Sequence, residues 1–260
     1  MNTEVLNKII NAKANLSIIV KDLTNDILLI NYKGDDQVQS ASIIKVIILL
    51  ASLKKIEENK YSLKDRIKLK DNNIVDFSTI KDEGLESYTI EELLKWMIIT
   101  SDNSATNELI DWLGFEYINN LCLQLNLKST KLQRKMMDFK SISTGKDNFT
   151  SSEDMLKIME LLYSNKFISA DISNYIINIL MQQRDFNLLN RYICDDIKIA
   201  HKTGELYSVT NDVGIVYLDT IDYYIGIFIN KSMDTNYAQK LIGEISKNIY
   251  NYIKYEYMKE

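Results

Sequence analysis

The chain has 260 residues, of which 46% are hydrophobic and 10% aromatic, enough to build one large core or two subdomains. This composition excludes a disordered or fibrous protein. The formal net charge is -5 at pH 7, and lysines are interleaved with acidic residues, as in SLKDRIKLKD over 62–71, so we expect no nucleic-acid partner.

The sequence has no membrane or metal-binding signature. Its first twenty residues lack the regions of a secretory signal, which predicts a cytoplasmic protein, or an extracellular one if a signal has been removed. The longest apolar run, 43–51, is too short to span a bilayer and contains Lys45. Cys122 and Cys194 have no C-x-x-C spacing, which favours two buried free thiols over a zinc site or a disulfide. We expect no cofactor and a monomer.

The elements alternate between sheet and helix along the chain. Helical spacing of apolar residues predicts a helix over 4–14, and two β-rich runs, 16–23 and 26–33, predict a hairpin. Residues from about 42 to 192 are mostly helical by pattern, with a capping box at Thr89 and Glu92. Three further strands and a terminal helix are predicted over 197–204, 209–218, 223–230 and 236–257.

This order predicts an α/β (α+β) fold in which terminal helices cover a five-stranded antiparallel sheet. Residues 1–41 and 195–260 would form the α/β subdomain, and residues 42–194 an inserted all-helical subdomain, with a cleft between the two. The segment 130–155 has little periodicity, which is typical of an Ω-type functional loop, although a plain surface loop has the same pattern.

Ser42 and Lys45 open the apolar helical run and lie on one helix face. The same S-x-x-K spacing recurs at Ser52, Ser78 and Ser143, and an isolated pair is more often a capping serine with a lysine that reaches the surface. Two further motifs occur once each, S-D-N at 101–103 in the helical region and K-T-G at 202–204 on a predicted strand.

In this order, S-x-x-K, S-D-N and K-T-G resemble the signature of the class A β-lactamases and the related penicillin-binding proteins. The resemblance extends to the order of elements and implies a β-lactamase-like fold. It also implies that Ser42 is the nucleophile, which becomes acylated, and that Ser101 relays a proton to the departing nitrogen. Lys45 can accept the Ser42 proton if the helix N-terminus and Lys202 keep its amine neutral.

The resemblance also implies how a small β-lactam, acyl-peptide or ester substrate is held. Asn103 would bind the substrate amide, and Lys202 with Thr203 would bind its carboxylate. The backbone N–H groups of Ser42 and Glu205, the residue after Gly204, would bind the oxyanion.

The sequence departs from the family in the loop that carries the deacylating glutamate. In LQRKMMDFK, Arg134 aligns with the family's arginine, but Met136 replaces the glutamate and Lys140 replaces the asparagine. Asp138 is the nearest carboxylate. It could activate water in a rearranged loop, but we favour a structural pair between Asp138 and Arg134. No arginine follows Arg191, so Lys202 and Thr203 would bind the substrate carboxylate alone.

The sequence therefore favours a serine hydrolase of the β-lactamase type that acylates on Ser42 and deacylates slowly or through Asp138. A D-Ala peptidase or esterase of the same superfamily would lack the glutamate naturally, and a binding or sensory domain would keep the pocket without turnover. The lone histidine, His201, is adjacent to Lys202 on a strand, so it faces the opposite side, and we expect it to be a packing residue.

Overall fold

A computed structural model describes residues 8–9, 11–194 and 196–255 of the chain. The strands are β1 (Asn15–Asp22), β2 (Ile27–Tyr32), β3 (Val38–Gln39), β4 (Arg66–Lys68), β5 (Ser87–Thr89), β6 (Phe149–Thr150), β7 (Lys198–Leu206), β8 (Val209–Tyr217) and β9 (Asp222–Asn230). The α-helices are α1 (Lys45–Asn59), α2 (Thr79–Glu83), α3 (Ile90–Ile99), α4 (Asn103–Leu113), α5 (Phe115–Gln124), α6 (Phe139–Ser143), α7 (Ser152–Tyr163), α8 (Ala170–Leu180) and α9 (Thr235–Tyr255).

Five strands form one antiparallel sheet in the order β2-β1-β9-β8-β7, which confirms the predicted sheet. The N-terminal hairpin and the three later strands all lie within a few residues of the β-rich runs that predict them. Because β7 is at the edge of the sheet, one of its sides is free to face the helical part of the molecule.

Each face of the sheet is covered by helix. On one face, Ile225 and Ile227 of β9 share a hydrophobic cluster with Ile245 of α9, as the terminal helical stripe predicts. On the other face, Val213 and Phe228 join the larger cluster formed by the helices between β3 and β7. This two-sided burial follows from the period of two along a strand, which directs successive side chains to opposite faces.

The predicted helix over 4–14 lies largely outside the described residues. Ile9, which is described, is 3% exposed and belongs to the cluster under α9.

Helix α1 runs through the centre of the helical region. Residues 46–50 are all 0% exposed, so the first half of this helix is buried on every side, whereas its last three residues, 57–59, are exposed. A 3₁₀ turn, Ala41–Ile44, leads into α1 and packs against β7 and β8. The start of α1 is therefore fixed at the edge of the sheet.

Two short ribbons, β3 with β6 and β4 with β5, lie outside the main sheet, and periodicity did not predict them because each strand has only two or three residues. The segment 130–155 is irregular at first, as predicted, and then contains α6, β6 and the start of α7.

The prediction that both cysteines are buried is right for Cys122 and wrong for Cys194. Cys122 is buried in the helical cluster, whereas Cys194 is exposed in the irregular segment before β7. None of the helices in the described ranges has the length and apolar character needed to cross a membrane.

Candidate active site

Ser42 lies in the 3₁₀ turn and is partly exposed. Its hydroxyl does not cap α1: the capping position is Ile44, with no side-chain cap bond, so the capping alternative is wrong. The turn begins at Ala41 with φ 45°, a left-handed conformation that is uncommon for a residue with a Cβ.

The hydroxyl groups of the other three S-x-x-K serines form hydrogen bonds within local secondary structure or turns. The Ser52 hydroxyl donates to the Ile48 carbonyl inside α1, and the Ser78 hydroxyl accepts the Lys81 N–H at the start of α2. The Ser143 hydroxyl donates to the Lys140 carbonyl at the surface. The hydroxyl groups of these three serines are therefore engaged in local structure.

Lys45 is 0% exposed and its ammonium group points inward, so the alternative of a lysine reaching the surface is wrong. Its Nζ donates to the Ser101 carbonyl at 2.6 Å, to Ser101 Oγ at 3.0 Å and to Asn103 Oδ1 at 3.0 Å. Burial, reinforced by the positive charge of Lys202, holds the pKa of Lys45 well below the ordinary lysine value. A lysine whose pKa is lowered in this way loses its proton more readily and can act as a base.

The Ser101 hydroxyl lies between two buried lysines. It is 3.0 Å from Lys45 Nζ and 3.1 Å from Lys202 Nζ, and both can donate to it. Burial lowers the pKa of Lys202 to about 8, although the charges of Asp212 and Asp185 act in the opposite direction. Ser101 has φ 58°, a left-handed conformation of the kind that is concentrated at functional sites.

The other two residues of the S-D-N motif have different roles. Asp102 is 1% exposed; its carboxylate caps α4 by accepting the Ala105 N–H at 2.8 Å and also accepts the Ser78 hydroxyl at 3.1 Å. It therefore holds the preceding segment in place. Asn103, the first residue of α4, turns its amide oxygen toward Lys45 and lines the cavity described below.

The K-T-G residues bring β7 against the 3₁₀ turn. A Cβ built on Gly204 would lie 2.9 Å from the Ser42 nitrogen and 3.0 Å from the Ser40 oxygen, so only glycine allows this approach. Thr203 is 5% exposed and lines the same cavity. The Glu205 side chain is exposed and accepts a hydrogen bond from Gln239 of α9 at 2.7 Å.

These residues surround a cavity of about 790 Å³, which we call the front cavity. Three aromatic side chains at its lining are largely exposed, Phe77 (81%), Phe139 (56%) and Tyr207 (83%). Other lining residues are Ser42, Ser101, Asn103, Arg134, Met136, Met137, Asp185, Thr203 and Glu205. The predicted nucleophile Ser42, the predicted proton relay Ser101 and Thr203 thus share one cavity with an apolar rim, and Lys202 lies behind Ser101 at 3.1 Å from its hydroxyl.

The predicted pair of Arg134 and Asp138 is wrong. Arg134 is buried and its Nε donates to Asp147 Oδ1 at 2.7 Å. Asp138 instead caps α6, accepting the Ser141 N–H at 3.0 Å and its hydroxyl at 2.6 Å. Asp138 does not line the front cavity, whereas Met136 does, with 6% of its surface exposed.

His201 is buried, and its Nδ1 lies 3.0 Å from Asp212 Oδ1 on the neighbouring strand. It contributes no contact to Ser42. Asp185 was not found by sequence reasoning; it lines the front cavity and acts electrostatically on Lys202, but no motif or periodicity marks it. Within the described residues, no His, Cys, Asp and Glu side chains converge as metal ligands.

Comparison with known proteins identifies the family of this chain. A family model described as the β-lactamase enzyme family matches residues 2–253. The chain belongs to the β-lactamase enzyme family. The family and the fold support serine β-lactamase-type function, as the three motifs predict.

Individual members of the family are distant from this chain. β-Lactamase BRO-1 of Moraxella catarrhalis is 22% identical over 255 residues, which cover 94% of this chain and 80% of the relative. A β-lactamase of Bacteroides uniformis is 24% identical over 260 residues, covering 92% and 86%.

The solved structures similar to this chain include the β-lactamase of Sphaerobacter thermophilus DSM 20745, with TM-score 0.87, 22% identity and coverage of 96% of this chain and 97% of that one. PBP-A has TM-score 0.88 and 24% identity, with coverage of 96% and 94%. At these identities the similarity shows the fold, and it confirms the predicted α+β architecture.

Proposed function

We propose that this family member is acylated by β-lactams on Ser42 and hydrolyses the resulting ester slowly. The observation that carries the proposal is the Ser101 hydroxyl held between Lys45 and Lys202 in the cavity that contains Ser42. A nucleophile, a base with a lowered pKa and a proton relay are the parts that serine acyl transfer requires.

Acylation would begin when neutral Lys45 takes the proton of Ser42 and the serine oxygen attacks the lactam carbonyl. The backbone N–H groups of Ser42 and Glu205 would stabilise the negative charge that develops on the carbonyl oxygen. As the ring C–N bond breaks, Ser101 would pass a proton from the lysines to the leaving nitrogen. Lys202, still protonated below about pH 8, would bind the substrate carboxylate with Thr203.

Hydrolysis of the ester needs a water molecule and a base near Ser42. The thioether of Met136 cannot supply that base, and Asp138 lines a different cavity. Two carboxylates line the front cavity, and both are engaged: Asp185 accepts the Asn187 N–H at 3.1 Å, and Glu205 accepts from Gln239 at 2.7 Å. We therefore expect acylation to be faster than deacylation.

The presence of Met136 where the family has a glutamate favours a second function. An apolar residue at position 136 also suits an esterase or D-Ala peptidase, in which the acyl group is transferred from a substrate other than a lactam. Faster turnover of a D-Ala-D-Ala peptide or a thioester than of penicillin would assign the protein to that class. A stable adduct without any turnover would make it a β-lactam-binding domain.

The experiment is intact-mass spectrometry over time after mixing with benzylpenicillin and with nitrocefin, followed by peptide mapping of the adduct. We expect an adduct on Ser42 that forms in minutes or less and decays slowly. Ser42→Ala should give no adduct, and Lys45→Met should slow labelling by ~10²-fold or more because the base is lost. Labelling of Ser42→Ala, or an adduct on another residue, would show that the nucleophile is assigned wrongly.

A further inference from the structure

The part of the front cavity next to Lys202 also carries two carboxylates. Asp185 and Glu205 both line the cavity together with Thr203. Asp185 acts electrostatically on Lys202, and Glu205 follows Lys202 by three residues on β7, roughly 10 Å along the strand. This part of the cavity, formed by Lys202, Thr203, Asp185 and Glu205, is called the charged end below. It carries one ammonium group and two carboxylates.

Neither carboxylate of the charged end has a salt-bridge partner. Asp185 accepts the Asn187 N–H at 3.1 Å and the Asn187 side-chain amide at 3.2 Å. Glu205 accepts the side-chain amide of Gln239 at 2.7 Å. These donors are neutral, and among the residues that the structure describes no lysine, arginine or histidine forms a salt bridge with either carboxylate. Both negative charges therefore face the cavity without a bound cation.

The arginines near the cavity do not offset this charge. Arg134 lines the front cavity, but it is bound to the buried carboxylate of Asp147 at 2.7 Å. Arg184 is exposed and lines a different cavity. Lys202 is left to bind a substrate carboxylate, and the two carboxylates beside it repel an anion that carries no positive charge of its own.

An exposed aromatic side chain lies close to Glu205 in the chain. Tyr207 is two residues further along, is 83% exposed and lines the same cavity. A carboxylate attracts a cation by its charge, and an aromatic ring attracts a cation through its negative face. The charged end therefore suits a planar cation placed beside an anion.

We propose that the substrates of this protein are zwitterionic at the charged end, with a cationic group beside the carboxylate. Lys202 and Thr203 would bind the carboxylate, while Asp185, Glu205 and Tyr207 would face the cation. The inference rests on the proposed function and names its substrate class, which is β-lactams or other acyl compounds with this pair of charges. The side chains of Asp185 and Glu205 are thus specificity-determining and take no part in bond making.

The test uses cephaloridine and cephalothin as a matched pair. Both compounds carry the same thienylacetyl side chain, lactam and ring carboxylate. They differ in one substituent near the carboxylate, which is a pyridinium cation in cephaloridine and a neutral acetoxy group in cephalothin. The second-order rate constant for acylation of Ser42 is measured by mass spectrometry at about pH 6.5, where Lys202, with its pKa of about 8, is protonated.

Three variants separate the charge effect from the intrinsic reactivity of the two compounds. Asp185→Asn and Glu205→Gln each remove one negative charge and keep an oxygen that can accept the present hydrogen bond. Glu57→Gln removes the same charge at the exposed end of α1 and is the control. We expect the ratio of the cephaloridine constant to the cephalothin constant to fall about threefold or more in the first two variants, because a charge–charge attraction is lost. The ratio should not change in Glu57→Gln.

The ratio also removes a side effect of Asp185→Asn. This substitution lowers the pKa of Lys202, but both compounds bind through the same carboxylate, so a weaker contact with Lys202 cancels between them. High salt provides a further check, since it screens the attraction and should lower the ratio of the wild type toward that of the two cavity variants.

An equal ratio in the wild type, Asp185→Asn and Glu205→Gln would overturn the zwitterion proposal, and so would an equal fall in Glu57→Gln. If one cavity variant does not fold, the other gives the same comparison. Absence of any adduct on Ser42, with benzylpenicillin as well as with both cephalosporins, would instead contradict the proposed function. Adducts on Ser42 whose rates do not depend on the cation would contradict the zwitterion proposal alone.

Discussion

Two buried lysines that contact one hydroxyl, that of Ser101, must differ in charge if one is to act as a base and the other as an anion-binding group. Both are completely buried, and burial lowers the pKa of each. The positive charge of Lys202 lowers the pKa of Lys45 further, and the charge of Asp102 opposes this only in part. Asp212 and Asp185 raise the pKa of Lys202, which settles at about 8. The protonated form at neutral pH therefore resides on Lys202.

This difference predicts a pH profile for acylation. A lysine with a pKa of about 8 is charged below that pH and neutral above it, so binding of a penicillin carboxylate should weaken above pH 8. The second-order acylation rate constant, measured by mass spectrometry from pH 6 to ~10, should fall on the alkaline side because this constant reports the groups of the free enzyme. The methyl ester of the same penicillin is the control, since it carries no carboxylate and should show no such fall. If the acylation rate constants of the penicillin and of its methyl ester fall equally above pH 8, the proposed role of Lys202 is contradicted.

The two cysteines also differ in their environments. Cys194 is exposed, whereas Cys122 is buried and burial raises the pKa of its thiol to about 12. Because the thiolate is the reactive species, iodoacetamide at pH 8 should alkylate Cys194 alone in the folded protein. Mass spectrometry should find one modified cysteine, none in Cys194→Ser, and both after denaturation in urea. Modification of both in the native protein would show that Cys122 is accessible.

At the scale of elements, two side chains that precede α6 have different roles: Asp138 caps α6, and Arg134 forms a buried ion pair with Asp147. Asp138 caps α6 at the surface, so Asp138→Ala should lower the free energy of unfolding by ~1 kcal/mol and leave acylation and deacylation rates unchanged. Arg134→Met leaves the carboxylate of Asp147 buried without its partner, which should cost ~3–5 kcal/mol.

Urea denaturation with both variants measures this difference. The matched comparison is informative because both residues were candidates for the same pair. A change in deacylation rate in Asp138→Ala would return Asp138 to the mechanism, and equal losses of stability would contradict the pairing of Arg134 with Asp147.

The main elements could be predicted because their apolar residues follow local patterns. The strands of the large sheet are nearly continuous apolar runs buried on both faces, and α9 carries a stripe with helical period. The motifs pointed to Ser42, Ser101 and Lys202. Partners distant in the chain could not be predicted. The bond between Lys45 and Ser101 joins residues 56 positions apart, and the Arg134–Asp147 pair spans an irregular loop in which no period exists. Short elements such as α6 could not be predicted either, because five residues are too few to show a period.

At the scale of the whole molecule, the site exists only because the sheet edge meets the start of α1. Ser42 and Lys45 come from the helical side, and Lys202 comes from β7. The contact between the two sides is backbone against backbone at Gly204, where the 3₁₀ turn lies against the strand. Any atom added there must push the two halves of the site apart.

Gly204→Ala tests this directly. Its Cβ would meet the nitrogens of Ser42 and Ile43 at 2.9 and 3.0 Å, and backbone atoms cannot rotate away as a side chain can. We expect the acylation rate constant to fall by ~10²-fold, as misplacement of about 1 Å at a reacting centre does. Gly34→Ala is the control, because its Cβ would crowd the side chains of Ile19 and Asn31 away from the front cavity. That variant should lose stability by overpacking while acylating at the wild-type rate. If both variants acylate equally fast, the close contact at Gly204 is a matter of packing and does not set the geometry of the site.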